Sequence, residues 1–110
     1  MANIDTRSII INLLKEDRKI YLSISRLQKL LMYIYEQLAA EEDLGQYNIC
    51  FDVNFDAIER TVLYNNNIFQ LDFEGKMIYL RKTQNIDSLA EKYQTCDKVT
   101  ELIKTFCKVA

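Results

Sequence analysis

The segment over residues 68–82, IFQLDFEGKMIYLRK, constrains the fold of this chain more than any other part of the sequence. Apolar and polar residues alternate on both sides of Gly75, as they do in two antiparallel strands that bury one face. A two-residue loop at Glu74-Gly75 sets the larger apolar residues opposite one another. The facing pairs are Phe73 with Lys76, Leu71 with Ile78, and Phe69 with Leu80. A slip of one residue would turn this face to water, so we predict a β-hairpin in this register.

Helical spacing predicts two helices in the first 45 residues. Asp5 or Thr6 can accept a hydrogen bond from a backbone N–H at the start of the first helix, which runs to about Lys15. The second helix begins near Ser25 and is expected to end in the acidic residues 41–43. The inward-facing residues are Ile9, Ile10, Leu13 and Leu14 in the first helix, and Leu27, Leu30, Leu31, Ile34 and Leu38 in the second.

Shorter elements are predicted around these helices. Residues 19–23 have the composition of a short strand, and apolar residues alternate with Cys50 and Asp52 over residues 49–53, which indicates a second strand. Asn54 can cap a third helix that runs from there to about residue 66. The inward residues of this helix are Phe55, Ile58 and Val62, and the outward residues are Asp56, Arg60, Leu63, Tyr64 and Asn67.

The last part of the chain, residues 87–110, is predicted to be one C-terminal helix capped by Asp87 or Ser88. Its apolar stripe keeps helical spacing almost to the end of the sequence. The residues of the stripe are Leu89, Tyr93, Cys96, Val99, Ile103 and Phe106. The stripe can pack on its own domain or on a second copy, and the pattern leaves both open, including a homodimer through this helix.

Composition indicates one soluble domain over residues 1–110. Apolar residues make up 49% of the chain and charged residues 27%, and the absence of proline with only two glycines leaves no linker to divide it. The longest apolar runs are much shorter than the roughly 20 residues of a membrane-spanning helix. The N-terminus lacks the features of a secretory signal, so we expect a cytoplasmic protein that does not cross a membrane.

The sequence lacks the residues on which most catalytic sites depend. There is no histidine, which excludes His-based triads and histidine metal ligands, and two isolated glycines cannot form a phosphate-binding loop. The three cysteines include no CxxC pair and are interpreted as core residues. We therefore expect a protein that is not an enzyme and that uses no metal and no cofactor.

The predicted order is helix, short strand, helix, third helix and hairpin, followed by a further helix. This order resembles a winged helix-turn-helix domain over about residues 5–82, with residues 55–72 running into 75–81 as the third helix and the wing. The resemblance implies an α+β fold with three helices, a small antiparallel sheet and an added C-terminal helix. It also implies DNA binding, with the third helix in the major groove and the wing against the backbone.

Charge is segregated along the chain. Residues 1–35 and 76–110 each carry a net charge of +3, and residues 36–75 carry −8. The third helix lies in the acidic segment and would be repelled by phosphates, so basic residues elsewhere are the candidates. Near the start they are Arg7, Lys15, Arg18, Lys19, Arg26 and Lys29, and in the hairpin they are Lys76, Arg81 and Lys82.

From these we select six candidate DNA contacts. They are Arg18, Lys19, Arg26, Lys76, Arg81 and Lys82. In a winged-helix fold the N-terminal strand pairs with the hairpin, which would bring Lys19 near Arg81 and Lys82 and make one basic surface.

Two functions follow from these patterns. The first is a small accessory or regulatory protein that binds duplex DNA, of the sort that plasmids, phages and mobile elements encode. The alternative is a protein-protein interaction module, such as an antitoxin, an inhibitor or an assembly adaptor. In that case the acidic middle segment and the outward face of the third helix would meet a partner protein. The face consists of Asp56, Leu63, Tyr64 and Asn67.

Overall fold

The computed structural model describes residues 2–40, 47–74 and 76–109, and it confirms an α+β fold. Within these ranges the chain forms five helices, a three-stranded antiparallel sheet and a two-stranded parallel sheet. In chain order the elements are β1 (Ala2–Asp5), α1 (Thr6–Asp17), β2 (Tyr21–Ser23), α2 (Ile24–Ala39), β3 (Tyr47–Cys50), α3 (Phe55–Tyr64), β4 (Phe69–Asp72), β5 (Met77–Leu80), α4 (Ile86–Lys92) and α5 (Asp97–Val109). No helix in the described ranges is long and apolar enough to cross a membrane.

The hairpin forms in the predicted register. Phe69 pairs with Leu80 and Leu71 pairs with Ile78, and the face that they share packs into the core. The ladder ends at Asp72 and Met77, and Phe73, predicted to continue the buried face, is 54% exposed. The turn beyond them includes residue 75, which lies outside the described residues. Alternation of apolar and polar residues was therefore sufficient to define this register, because only one face of the hairpin is buried.

Strand β2 joins the hairpin and completes the sheet in the order β2-β5-β4. Leu22 pairs with Ile78, and the backbone N–H of Leu80 donates to the carbonyl of Ile20 at 2.7 Å. The strand is shorter than the predicted 19–23, since the chain first has to turn at Arg18, which caps α1 in a left-handed conformation. The sheet order and the helices around it are compatible with a winged-helix-like fold.

The first three helices begin at side-chain caps. Asp5 accepts a hydrogen bond from the N–H of Ser8, and Asn54 accepts one from Asp56, as the sequence predicts. Ser23 caps α2, two residues before the predicted start. All nine apolar residues predicted to face inward from α1 and α2 are buried. Helix α2 ends at Ala39, and the acidic residues 41–43 lie outside the described residues.

The parallel pair of β1 and β3 was not predicted. Ile4 pairs with Ile49, so the chain ahead of α1 hydrogen-bonds to the segment between α2 and α3. This pairing explains why that connection is much longer than a tight helix-helix turn. Strand β3 ends at Cys50, and the alternation continues beyond it as half-buried Phe51 and Val53 that pack against the core.

The predicted single C-terminal helix is wrong, because the segment forms two helices separated by residues 93–96. The carbonyl of Tyr93 accepts a hydrogen bond from the Asn12 side chain at 3.1 Å, and the hydroxyls of Thr95 and Thr100 lie 2.8 Å apart. These contacts hold the chain in its turn between the two helices. Helix α4 is capped by Asn85 and not by Asp87 or Ser88.

Helix α5 packs on its own chain against α1 and α2. Its apolar residues Val99, Leu102, Ile103 and Phe106 are buried there. This stripe is therefore covered within one chain, and a homodimer through α5 would have to use another face of the helix.

An ion pair between Arg26 and Asp17 joins the ends of three helices. The Nε and Nη2 atoms of Arg26 donate to the two carboxylate oxygens of Asp17 at 3.0 and 2.9 Å. The guanidinium also lies over the ring of Phe106, 5.1 Å from its centre. The hydrogen bond to Asp17 raises the pKa of Arg26 above its ordinary value. The pair is shielded from solvent, since the Asp17 side chain is only 13% exposed.

The cysteine interpretation needs correction. Cys50 is exposed, whereas Cys96 and Cys107 are half-buried and pack against the core. Burial, together with the nearby carboxylate of Asp17, raises the pKa of the Cys107 thiol to about 11. Because the thiolate is the reactive form, Cys107 should be inert at neutral pH.

We predict that disrupting either side of the Asp17 and Arg26 pair lowers the free energy of unfolding by about 1–3 kcal/mol. Asp17→Asn leaves the guanidinium without its charged partner, and Arg26→Lys loses the two-pronged geometry and the contact with the ring. Urea denaturation measures both. Lys29→Gln on the exposed surface of α2 is the control and should change stability by less than about 0.5 kcal/mol. An Asp17→Asn variant as stable as the original chain would contradict the role given to the pair.

We also predict that the cysteines react at different rates with iodoacetamide at mildly alkaline pH. Cys50 should be alkylated first because it is exposed, and Cys107 should stay unmodified because its thiol remains protonated until the pH approaches about 11. Mass spectrometry of the digested protein gives the rate at each site. In concentrated urea the difference should disappear. Equal rates for Cys50 and Cys107 in the folded protein would show that Cys107 is not protected.

Candidate nucleic-acid interface

Five basic residues surround Ile20, which is 60% exposed and lines two neighbouring grooves. One groove has a volume of about 530 Å³ and follows the end of the hairpin, and the other, of about 380 Å³, follows the end of α1. Asp87 is the acidic residue among their lining residues, and it lines the groove at the end of α1. We call the five residues the Ile20 basic cluster: Lys15, Arg18 and Lys19 on the α1 side, and Arg81 and Lys82 on the hairpin side.

Pairing of β2 with β5 creates this cluster. Tyr21 is the partner of Tyr79, and the backbone N–H of Leu80 donates to the carbonyl of Ile20, so Lys19 and Arg81 both lie just beyond the same end of this ladder. The structure thus brings the N-terminal and hairpin charges together, as the resemblance implied. All five residues of the cluster are exposed except Arg81, which is half-buried.

Arg81 is held in place by the segment that follows α3. Its Nε donates to the carbonyl of Asn66, and its backbone N–H donates to the carbonyl of Ile68 at 2.9 Å. Gln84 adds a third link, through a side-chain hydrogen bond of 3.0 Å to the carbonyl of Asn67. A guanidinium has five N–H donors, and only one of them is used by the bond to Asn66, so the group is fixed in position while keeping capacity for an anion.

Arg18 has a left-handed backbone, with φ at 57°. Its N–H donates to the carbonyls of Leu14 and Lys15, which ends α1 and turns the chain into β2. Glycine is the usual residue at such a helix end, because a side chain at positive φ costs about 1–2 kcal/mol. The arginine is therefore kept here at some cost to stability, which is often the case for residues with a functional role.

Two of the six predicted contacts do not belong to this cluster. Arg26 is bound to Asp17 and packed on Phe106, so its role is structural. Lys76 lies at the other end of β5, roughly 16 Å from Arg81 along an extended strand, with its Nζ 5.0 Å from the centre of the Phe55 ring. The structure brings together the remaining four and adds Lys15, which was in the wider set of basic residues.

The surface that the winged-helix resemblance assigns to DNA is acidic. Exposed residues of α3 include Asp56, and the hairpin tip carries Asp72 and Glu74. The contact of Lys76 with Phe55 shows that this tip lies beside the start of α3. Arg60 is the exposed cation of α3, and its Nε donates to the backbone carbonyl of Asp56 at 3.4 Å. This end of the molecule is unsuited to phosphates, whereas the opposite end of the sheet is basic.

Aromatic residues line the outer face of the sheet beside the basic cluster. Tyr21 and Tyr79 are 44% and 38% exposed, and their ring centres are 6.4 Å apart at an angle of 42°. The Nζ of Lys19 lies 5.5 Å from the centre of the Tyr21 ring. Gln70 continues the row on β4 as the partner of Tyr79. The sequence analysis did not single out this row, although a tyrosine at the outward position of both β2 and β5 was a usable signal.

No site for a metal ion is formed by three or more Cys, Asp or Glu residues within the described part of the chain. In comparisons with known proteins, no family model, no curated protein and no solved structure matches this chain.

We predict that Arg18→Gly raises the free energy of unfolding by about 0.5–1 kcal/mol, because glycine tolerates positive φ and the gain exceeds its extra chain entropy. Lys76→Gly should do the same, since Lys76 has φ at 54°. Lys19→Gly is the matched control, because Lys19 does not have a positive φ, and it should lose about 0.5–1 kcal/mol. Urea unfolding measures all three. A loss of stability in Arg18→Gly would show that the arginine side chain supports the fold.

Proposed function

We propose that this chain is a small, non-enzymatic, cytoplasmic protein that binds nucleic acid, duplex DNA among its candidate ligands, through the Ile20 basic cluster. The observation that carries the proposal is the convergence of five cations from two parts of the sequence that lie more than 60 residues apart. Segregated charge along a chain is common, but a cluster that forms only on folding, beside grooves, is a more specific feature.

Electrostatics supports a local contact and not a long-range one. The chain as a whole carries −2, so attraction depends on the cluster within about one Debye length, roughly 10 Å at 0.1 M salt. Five phosphate contacts correspond to a slope of log affinity against log salt of about −3.5 for a single strand and −4.5 for a duplex. The acidic tip near Asp72 and Asp56 favours an orientation in which that end points away from the ligand.

The test is a double charge reversal in the cluster. Arg81→Glu with Lys82→Glu should lower the affinity for a labelled oligonucleotide at least about tenfold at roughly 50 mM salt and flatten the salt slope by about 1.5. Fluorescence anisotropy over a salt series measures both quantities. Lys29→Glu with Arg60→Glu is the control, because it changes the net charge equally at two exposed residues that line neither groove. It should change the affinity by less than about twofold.

Two results would contradict the proposal. One is an original chain that fails to bind any oligonucleotide at low salt. The other is a control variant that loses as much affinity as the cluster variant, because the binding would then depend on net charge alone.

Protein-protein interaction is the second candidate function. It is favoured by the exposure of apolar residues on α3, where Leu63 is 47% exposed and Tyr64 is 84% exposed. Asp56 and the hairpin tip give this surface an acidic border, which suits a partner that is basic and partly apolar. The absence of oligonucleotide binding at low salt would leave this candidate as the better one.

A further inference from the structure

We propose that the row formed by Tyr21, Tyr79 and Gln70 on the outer face of the sheet is a platform on which unpaired bases stack. The ligand class is then single-stranded nucleic acid. The inference rests on the proposed function, because the phosphates of the same ligand would lie along the Ile20 basic cluster. It goes further by naming which form of nucleic acid binds and which residues select it.

The two tyrosines have an alternative explanation, which is stabilisation of the sheet. A cross-strand aromatic pair contributes favourably to a sheet, and Tyr21 and Tyr79 are such a pair. That explanation does not account for what surrounds them. Gln70, Tyr79, Arg81 and Lys82 line the same groove at the end of the hairpin, and the Nζ of Lys19 lies 5.5 Å from the centre of the Tyr21 ring. Exposed rings and cations are therefore adjacent on one surface.

The dimensions of the sheet suit one extended strand of nucleic acid. Arg81 follows Tyr79 by two residues, which is about 6.6 Å along an extended chain. Neighbouring strands are about 4.8 Å apart, so the row of Tyr21, Tyr79 and Gln70 runs across the three strands with about that spacing between residues. Single-stranded nucleic acid is commonly bound by such a combination, in which cations follow the backbone and aromatic rings stack on the bases. The amide of Gln70 adds a donor and an acceptor for base edges.

A duplex cannot use the same platform. Its bases are already stacked on one another, and exposing one costs several kcal/mol in unstacking and unpairing. A rigid duplex laid along the sheet would also extend from the basic cluster toward the acidic tip at Asp72 and Glu74. A flexible single strand can follow the basic side alone. The platform therefore predicts preference for single strands, with little dependence on base sequence because every base has a ring face.

The experiment compares a labelled single strand of about 12 nucleotides with a duplex of the same length by anisotropy at low salt. We expect the single strand to bind at least about tenfold more tightly. Tyr79→Leu keeps apolar bulk but removes the ring, and together with Tyr21→Leu it should weaken single-strand binding by roughly 5- to 100-fold. Duplex binding should change by less than about twofold. Tyr79→Phe with Tyr21→Phe keeps the rings and should retain single-strand affinity.

A matched control is available on α2. Tyr35→Leu removes a tyrosine that is 51% exposed and lines a groove without any residue of the cluster, and it should leave both affinities unchanged. Circular dichroism and urea unfolding of every variant separate loss of the platform from loss of the fold. If the leucine variants are unfolded, two tests remain. One compares the single-strand affinity of the phenylalanine variants with that of the original chain, and the other is the ratio of single-strand to duplex affinity in the original chain.

The outcomes distinguish this inference from the proposed function. Equal affinity for single strand and duplex, or no effect of the leucine variants in a folded protein, overturns the stacking platform. If the Arg81 and Lys82 reversal still lowers binding in that case, the proposed function survives without it. If neither the charge reversal nor the tyrosine variants change binding, both fail.

Discussion

Backbone pairing between β2 and β5 is the interaction on which the other features of this chain depend. It connects the N-terminal helices to the hairpin, since Leu22 and Ile78 bring the two parts together in one buried face. On the opposite face the same register sets Tyr21 beside Tyr79, and Lys19 and Arg81 lie just beyond this end of the ladder. The core and the candidate site are thus two faces of one sheet. A change of register by one residue would disrupt both at once, because every side chain would change faces.

Around the sheet, some charged residues stabilise the fold and others are exposed to solvent. The Asp17 and Arg26 pair anchors the start of α2 to the end of α1, directly before the turn at Arg18 that leads into β2. Arg26 is thereby committed to the fold, and Arg18, the residue directly after α1, is left exposed at positive φ. Two arginines close in sequence therefore have opposite roles, one fixed by a carboxylate and a ring, the other directed to solvent.

How much the sequence predicts depends on how local the signal is. The hairpin register, the caps Asp5 and Asn54 and the buried stripe of α2 follow from spacing alone, and the structure confirms them. The pairing of β1 with β3 does not, because parallel pairing of distant segments has no local pattern. The break at residues 93–96 was missed for a similar reason. It depends on a tertiary hydrogen bond from Asn12 to Tyr93, and the apolar spacing of α4 and α5 continues across it.

The same reasoning explains why the candidate site was predicted only in part. Net charge by segment identified the basic ends, but it could not separate Arg26, whose partner is a carboxylate nine residues away, from Lys19, which stays exposed. It also gave no weight to tyrosines, which carry no charge at neutral pH and are as common in cores as on surfaces. What distinguishes Tyr21 and Tyr79 is that their register makes them neighbours on the solvent face. The charges indicate which surface can bind phosphates, and the adjacent tyrosine rings determine whether bases can stack there as well.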